Sequence, residues 1–113
     1  SSLSFFVKNA PNVPRLYILG EMVEMGEKAS LIHQKAAESI LPFIRKEDSV
    51  VLIGPKYSLD MLEVFQEKEY APRHFISPLD AVELFESFKG PVFVKGSRFL
   101  KLERILEDQK VEF

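Results

Sequence analysis

Apolar positions in the chain fall into short continuous runs separated by stretches with helical spacing. The runs are RLYIL at 15–19, SVVLI at 49–53, RHFI at 73–76 and PVFV at 91–94. Continuous apolar runs of this length, bounded by glycine or proline, are typical of strands that are covered on both faces. The pattern therefore predicts four strands.

The stretches between the runs carry apolar residues at every third or fourth position, which predicts amphipathic helices. These helices are expected at 1–9, at 29–44, at 58–68, from Ser77 to Gly90, and at 99–106. Pro42 is expected to kink or close the second helix. Ser58 and the Ser77-Pro78-Leu79-Asp80 segment supply hydroxyl caps for the third and fourth helices. The two prolines within 10–14 make that segment a linker.

Strands that alternate with helices of this length imply a mostly parallel sheet with helices on both faces. The predicted fold class is α/β, a Rossmann-like three-layer sandwich with a mostly parallel sheet of about four to six strands. With 113 residues, 46% of them hydrophobic, the chain is expected to form one domain, residues 1–113. Ligands of such sheets bind beyond the carboxyl ends of the strands. The loops of interest are therefore 20–28, 54–57, 77–78 and 95–98.

Composition excludes several classes of function. No run approaches 18 apolar residues and no signal peptide is visible, so neither a membrane nor export is predicted. The absence of cysteine excludes disulfides and thiolate metal sites and is compatible with a cytoplasmic protein. A net charge of −2 with interspersed signs predicts no nucleic-acid partner. Because the chain does not begin with Met, we expect it to be a fragment of a longer protein.

Three familiar phosphate or metal sites are not predicted. The sequence has no Walker loop, G-x-x-x-x-G-K-[ST], and the loop after the first strand, GEMVEMG, lacks the G-x-G-x-x-G pattern of dinucleotide binding. A receiver domain would need paired acids after its first strand to hold Mg²⁺, whereas a single acid, Glu21, follows here. We predict no metal ligand and no catalytic residue.

The histidines and the acidic loop carry weak signals. His33 and His74 have no obvious ligand partners in sequence, so a histidine satisfied by hydrogen bonds is a better interpretation than a ligand or base. Glu21, Glu24 and Glu27 are as compatible with a solvated acidic loop as with a site.

The segment Lys95-Gly96-Ser97-Arg98 favours anion binding, because it lies where a predicted strand passes into a predicted helix. Glycine permits close approach of a ligand to the backbone, and the free N–H groups of a helix start attract anions. Lys95 and Arg98 add positive charge, and arginine can bind a carboxylate through two parallel hydrogen bonds. The alternative interpretation is a basic loop that only caps the helix.

Two segments together resemble the Mur ligase family. LYILGEMVEMGEKASLIHQKAAE at 16–38 resembles the family's L-G-D-M-x-E-L-G-E…H segment, and VFVKGSRFLKLERIL at 92–106 resembles V-L-V-K-G-S-R-x-M-x-M-E-x-V. They lie about 75 residues apart, as in the third domain of the branch that adds D-Ala-D-Ala. The resemblance covers residues 1–106, although the region between the two motifs has no sharp signature.

The resemblance implies a carboxyl-terminal domain that closes over an ATP-binding central domain in a cytoplasmic ligase of peptidoglycan synthesis. Such a ligase phosphorylates the terminal carboxylate of UDP-MurNAc-tripeptide, and the amine of D-Ala-D-Ala then attacks the acyl phosphate. The implied partners are the missing amino-terminal and central domains and these two substrates. ATP and Mg²⁺ would be bound mainly by the central domain, so no cofactor is predicted for this fragment, which is expected to be inactive alone.

The site residues predicted for this domain are Lys95, Gly96, Ser97, Arg98, Gly20, Glu21 and Met22. The cationic turn would receive the carboxylate of the dipeptide, and Glu21 would face its ammonium, so that both turns position the nucleophile.

The sequence departs from the family pattern at three residues. Glu21 replaces the usual Asp, and Phe99 and Leu100 replace a small residue and Met. These departures leave open a stand-alone, non-catalytic binding or scaffolding module derived from the family.

Overall fold

A computed structural model describes residues 2–22, 25–96 and 111–112. Its α-helices are α1 (Ser2–Asn9), α2 (Ala29–Ile40), α3 (Ser58–Glu67) and α4 (Val82–Ser87). Its strands are β1 (Leu16–Gly20), β2 (Ser49–Ile53), β3 (Arg73–Phe75), β4 (Val92–Lys95) and the two-residue β5 (Val111–Glu112). Short 3-10 turns at Gly26–Lys28, Leu41–Phe43 and Pro78–Ala81 adjoin the helices. Helices and strands therefore alternate as the hydrophobic pattern predicts.

The strands form a sheet in the order β3-β2-β1-β4-β5, and every pairing between described strands is parallel. β1 lies at the centre, with Leu16 opposite Ser49 of β2 on one side and Val92 of β4 on the other. This topology confirms the predicted α/β fold, a Rossmann-like sandwich. Among the described residues, no helix has the length and apolar character needed to cross a membrane.

Each face of the sheet supports its own core, because successive side chains of a strand point to opposite faces. The first core joins alternate strand residues to α1, α2 and α3, and its largest members include Phe6, Tyr17, Phe65 and Phe93. The second joins the intervening strand residues to Ala81 and Phe85, which belong to the turn before α4 and to α4 itself. Helices therefore cover both faces, as in a three-layer sandwich.

The helix predicted at 29–44 ends earlier than expected. α2 ends at Ile40, and Pro42 lies in the 3-10 turn Leu41–Phe43 that follows. Proline lacks the N–H that a further helical turn would need, so it closes the helix rather than kinking it. The fourth helix is likewise divided, into the turn Pro78–Ala81 and the short α4.

The two predicted hydroxyl caps have different outcomes. Ser77 accepts a hydrogen bond from the backbone N–H of Leu79, and Asp80 completes a capping box, which confirms the prediction. The cap predicted at Ser58 is wrong, because its hydroxyl donates to the carbonyl of Gly54 instead of accepting from its own helix. The helix predicted at 99–106 lies outside the described residues.

Candidate ligand site at the carboxyl ends of the strands

The strand order reverses direction at the centre of the sheet. From β1, the chain proceeds through β2 to β3 on one side, and then returns to β4 on the other. In open α/β sheets the crevice at such a switch point, beyond the carboxyl ends of the strands, is the usual ligand site. Here the crevice lies between the ends of β1 and β4, where Gly20 and Lys95 are found. The two turns predicted to form a site are therefore neighbours.

Gly20 and Gly96 bring the two turns into backbone contact. A Cβ atom built on Gly96 would lie 2.5 Å from the carbonyl oxygen of Gly20 and 2.9 Å from its Cα. Gly96 also has a φ of +137°, a conformation that other L-residues rarely adopt. Only glycine fits here without moving one strand end away from the other.

Lys95 is the described cation of this crevice. It ends β4, is exposed, and pairs with Leu19 of β1 through the backbone. Its ammonium group forms no ion pair with any described residue, so it is available to a ligand. Ser97 and Arg98, the other polar members of the predicted anion site, lie outside the described residues and stay sequence-based predictions.

Glu21 directly follows β1 and supplies the cap that α3 lacks from Ser58. Its Oε2 atom accepts hydrogen bonds from the backbone N–H groups of Lys56, at 2.6 Å, and Ser58, at 2.9 Å. A carboxylate at a helix start is stabilised both by these donors and by the helix dipole. Oε1 accepts no hydrogen bond from a described residue. One oxygen therefore anchors the side chain while the other remains available.

Gly54 makes room for the Glu21 side chain. A Cβ atom on Gly54 would overlap the Cγ, Cδ and Oε2 atoms of Glu21, and Gly54 has a φ of +145°. The backbone N–H of Glu21 donates to the carbonyl of Ile53 at 3.0 Å, which holds the turn against the end of β2. The loops after β1 and β2 are thus packed against each other, with the Glu21 side chain between them.

His33 connects these loops to α2. Its Nε2 accepts a hydrogen bond from the backbone N–H of Met22 at 2.8 Å, and its Nδ1 lies 2.6 Å from the carbonyl oxygen of Ala29. The ring is fully buried and stacks on Tyr57, with centroids 5.0 Å apart and an interplanar angle of 20°. These contacts confirm that His33 is a histidine satisfied by hydrogen bonds. Its position after Ile32 in the helix suggested partial burial, whereas the structure buries the ring completely.

His74 lies near the same end of the sheet, on the edge strand β3. Its Nε2 lies 2.7 Å from Ser58 Oγ and 3.0 Å from the carbonyl oxygen of Gly54. The Ser58 hydroxyl is fully buried and donates to that same carbonyl. Ser58 and His74 therefore connect the start of α3 to the end of β2 and to β3. Because the Ser58 hydroxyl is buried, a substrate has no access to its oxygen.

The described residues at this end of the sheet form no cluster of metal ligands, and the sequence has no Walker loop for a nucleoside triphosphate. Within 2–22, 25–96 and 111–112, no three or more histidine and acidic side chains converge as metal ligands. Glu21 is engaged with backbone N–H groups, and no Walker loop is present in the sequence. The loops at this end of the sheet offer exposed ammonium groups, at Lys95 on β4 and at Lys56 after β2. They also offer one anchored carboxylate, that of Glu21, which contacts the loop after β2.

The loops selected from the sequence lie at one edge of the sheet, but residues that shape them were not predicted. Gly54 contacts the Glu21 side chain, His33 binds the backbone N–H of Met22, and Tyr57 stacks on His33. None of Gly54, Tyr57 and His33 was predicted as a site residue. A signal for Gly54 was present, because three strand runs end in glycine: LYILG, VVLIG and VFVKG. His33 matches the final H of the family segment, but that match gives no hint of its partners, which are a backbone N–H group and an aromatic ring remote in sequence.

Comparison with known proteins finds no matching family model, no matching curated protein and no matching solved structure.

Proposed function

We propose that this chain is the substrate-closing domain of an ATP-dependent ligase of the Mur type, which adds D-Ala-D-Ala to UDP-MurNAc-tripeptide. The proposal starts from the two sequence motifs that resemble that family. One of them contains Gly20, Glu21 and Met22, and the other contains Lys95 and Gly96. The two motifs lie about 75 positions apart in sequence, yet their residues lie on the two sides of one crevice.

The observation that carries the proposal is the contact between Gly20 and Gly96 at the switch point of the sheet. It brings a cationic turn and an acidic turn together at the edge where α/β sheets bind ligands. The contact follows from the parallel register of β1 and β4, in which Leu19 pairs with Lys95, and glycine at both positions lets a ligand approach the backbone closely. A site for a small zwitterion gives the pairing a purpose, because its two charges need groups of opposite sign side by side.

In the proposed reaction the domain orients the nucleophile. Lys95, with the sequence-predicted Ser97 and Arg98, binds the carboxylate of the dipeptide, while the open oxygen of Glu21 faces its ammonium group. Holding an amine close to an acyl phosphate in the correct orientation accelerates amide formation without any covalent step on this domain. No residue of this chain is proposed to make or break a bond.

ATP and Mg²⁺ belong to the proposed reaction but not to this crevice. Among the described residues, no group of three or more histidine and acidic side chains could hold a metal ion. The resemblance assigns both to a central domain, so the proposed role of this chain is limited to the amine substrate. Peptidoglycan synthesis and a cytoplasmic location follow from the same proposal.

The test is to express the natural protein that contains this chain and to measure ADP release with UDP-MurNAc-tripeptide, ATP and D-Ala-D-Ala. We expect ADP release that depends on both peptide substrates, with L-Ala-L-Ala as the matched control that should be a poor substrate. No ADP release above the rate without the dipeptide would contradict the proposal.

A stand-alone binding or scaffolding module is the second candidate. It is favoured by Glu21, since one oxygen of this carboxylate is already engaged in capping α3. A protein of this kind would bind the dipeptide, or another small zwitterion, without consuming ATP. Calorimetry with D-Ala-D-Ala and the ADP-release assay together separate the two, because a module would bind the dipeptide and release no ADP, whereas a ligase would do both.

A further inference from the structure

The protonation of His33 follows from its two hydrogen bonds. A backbone N–H group can only donate, so Nε2, which receives the bond from Met22, carries a lone pair. A backbone carbonyl can only accept, so Nδ1, 2.6 Å from the oxygen of Ala29, carries the proton. The ring is therefore neutral, with its single proton on Nδ1.

The contacts of His33 lie on two loops of the candidate site. Its edge binds the amide of Met22, the residue directly after Glu21, and its face stacks on Tyr57. Tyr57 lies between Lys56 and Ser58, the two residues whose N–H groups hold the Glu21 carboxylate. One fully buried ring thus sets the distance between the Glu21 backbone and the donors of its side chain.

We propose that His33 is a positioning residue for Glu21: the neutral ring holds the turn after β1 against the loop after β2, and so fixes the direction of the carboxylate. For the amine substrate this inference rests on the proposed function. His33 touches neither the substrate nor the reacting atoms and acts only through Glu21. Without His33, the backbone N–H groups of Glu21 and Met22 would keep one hydrogen bond among the described residues, that from Glu21 to Ile53.

The first experiment needs no ligand and uses amide hydrogen exchange. His33→Phe keeps an aromatic ring for Tyr57 but removes both nitrogens. We expect exchange to accelerate about tenfold at the amides of Met22, Lys56 and Ser58, as for the loss of one hydrogen bond. The amides of Val51 and Leu52 in β2 should keep their protection. His33→Gln, whose side-chain oxygen can accept in place of Nε2, should restore the slow exchange of Met22.

Two results of this experiment would overturn the proposal. Unchanged exchange at Lys56 and Ser58 would mean that His33 does not act on Glu21. An equal acceleration at all five amides would mean that His33 only stabilises the fold. If His33→Phe does not fold, ¹⁵N spectroscopy of the natural protein decides: a proton on Nδ1 alone supports the proposal, and a proton on Nε2 contradicts it.

The second experiment connects the ring to the substrate. In the natural protein, His33→Phe should raise KM for D-Ala-D-Ala about tenfold and leave KM for ATP unchanged, while His33→Gln should recover most of the loss. Leu31→Ala, an exposed position on the same helix, is the matched control and should change neither constant. An equal rise in both KM values overturns the link to the amine. If the unmodified protein has no ligase activity, the proposed function fails, and the exchange experiment still decides the role of His33.

Discussion

The two ends of the sheet are built by different means. At the amino end, a buried carboxylate accepts hydrogen bonds from charged and backbone donors of two segments of the chain. At the carboxyl end, glycines bring backbone atoms together, and charged groups are left wholly or partly available. The contrast separates an end where the charged groups bind one another from the end where the ligand site is proposed.

Asp48 organises the amino end. Its side chain is fully buried and accepts backbone N–H groups from Arg15 and Arg45, together with the Arg45 guanidinium at 3.0 and 3.2 Å. The same guanidinium donates to Asn12 and Val13 in the linker after α1. The carboxylate of Asp48 and the guanidinium of Arg45 are thus bound within the chain itself.

The carboxyl end has charged groups that are only partly engaged in hydrogen bonds or ion pairs with described residues. Lys95 is exposed without an ion pair among the described residues, and Glu21 uses one oxygen while the other stays open. Polar groups without a hydrogen bond or ion pair inside the protein can bind a ligand. The comparison therefore predicts that substitutions at the amino end change stability, whereas charge substitutions at the carboxyl end change binding.

The largest effect on the carboxyl end is expected from Gly96→Ala. The new Cβ would lie 2.5 to 2.9 Å from three backbone atoms of Gly20 and would require a φ of +137°. Backbone strain and overpacking together predict a loss of about 3 kcal/mol in the free energy of unfolding. Urea unfolding at neutral pH measures the change.

Gly26→Ala is the matched control for that substitution. Gly26 also has a positive φ, +67°, but nothing lies within 4 Å of its added Cβ. It should cost only the conformational penalty, about 1 kcal/mol. Equal losses for the two variants would show that the contact between Gly20 and Gly96 does not hold the strand ends together.

Much of the fold follows from the sequence because the hydrophobic pattern is dictated by burial. The run SVVLI predicts β2 at its observed bounds, since a strand with both faces covered must be apolar throughout. The end of the long helix was less predictable, because the pattern of apolar residues continues to Ile44 while Pro42 has already stopped α2 at Ile40.

The site was predictable only at the level of loops. Parallel strands place their carboxyl ends at one edge, so the turns at Gly20 and Lys95 were expected to meet if the sheet order allowed it. That Glu21 rather than Ser58 would cap α3 was not predictable, because the two segments lie 37 positions apart and become neighbours only through β1–β2 pairing. The preference for serine at helix starts therefore predicted Ser58 as the cap, whereas its hydroxyl donates to the carbonyl of Gly54.

At the amino end the largest effect is expected from Asp48→Asn. The substitution removes the charge that attracts Arg45 while keeping the size of the side chain, and charge-assisted hydrogen bonds predict a loss of about 2 kcal/mol in the free energy of unfolding. Glu47→Gln is the matched control. Glu47 lies 3.8 Å from the same guanidinium but is half-exposed, so its loss should be much smaller.

The same carboxylate predicts a pH dependence. Burial alone would raise the pKa of Asp48, but the hydrogen bonds from Arg45 and Arg15 outweigh burial and lower it from the ordinary value of 3.8. A group with a lowered pKa stabilises the fold above its ordinary pKa and loses this contribution as the pH falls through the lowered value. The difference in stability between the natural chain and Asp48→Asn should thus be full at pH 7 and shrink below pH 3.8. A constant difference would mean that Asp48 is not charged in the fold.

A smaller effect on stability is expected from Glu21→Ala. The variant loses two backbone donors at the start of α3, and the usual worth of a helix cap predicts about 1 kcal/mol. Glu21→Gln keeps an oxygen for the same N–H groups and should recover most of this stability, as measured by urea unfolding. It should not recover binding of D-Ala-D-Ala, measured by calorimetry, because the negative charge is gone. Recovery of both would show that Glu21 serves the helix and not an ammonium group.

The smallest effect on stability and the sharpest contrast in binding are expected from the two exposed lysines that flank β4. Lys89 precedes the strand at the amino end of the sheet, and Lys95 ends it at the carboxyl end. Substitution of either by Ala should leave the free energy of unfolding within about 0.5 kcal/mol, because both side chains are exposed. Only Lys95→Ala should weaken binding of the dipeptide, by about tenfold, since only Lys95 lies at the end of the sheet where the switch point is. Equal weakening by both variants would mean that the dipeptide responds to net charge alone, and the distinction between the two ends of the sheet would then not extend to binding.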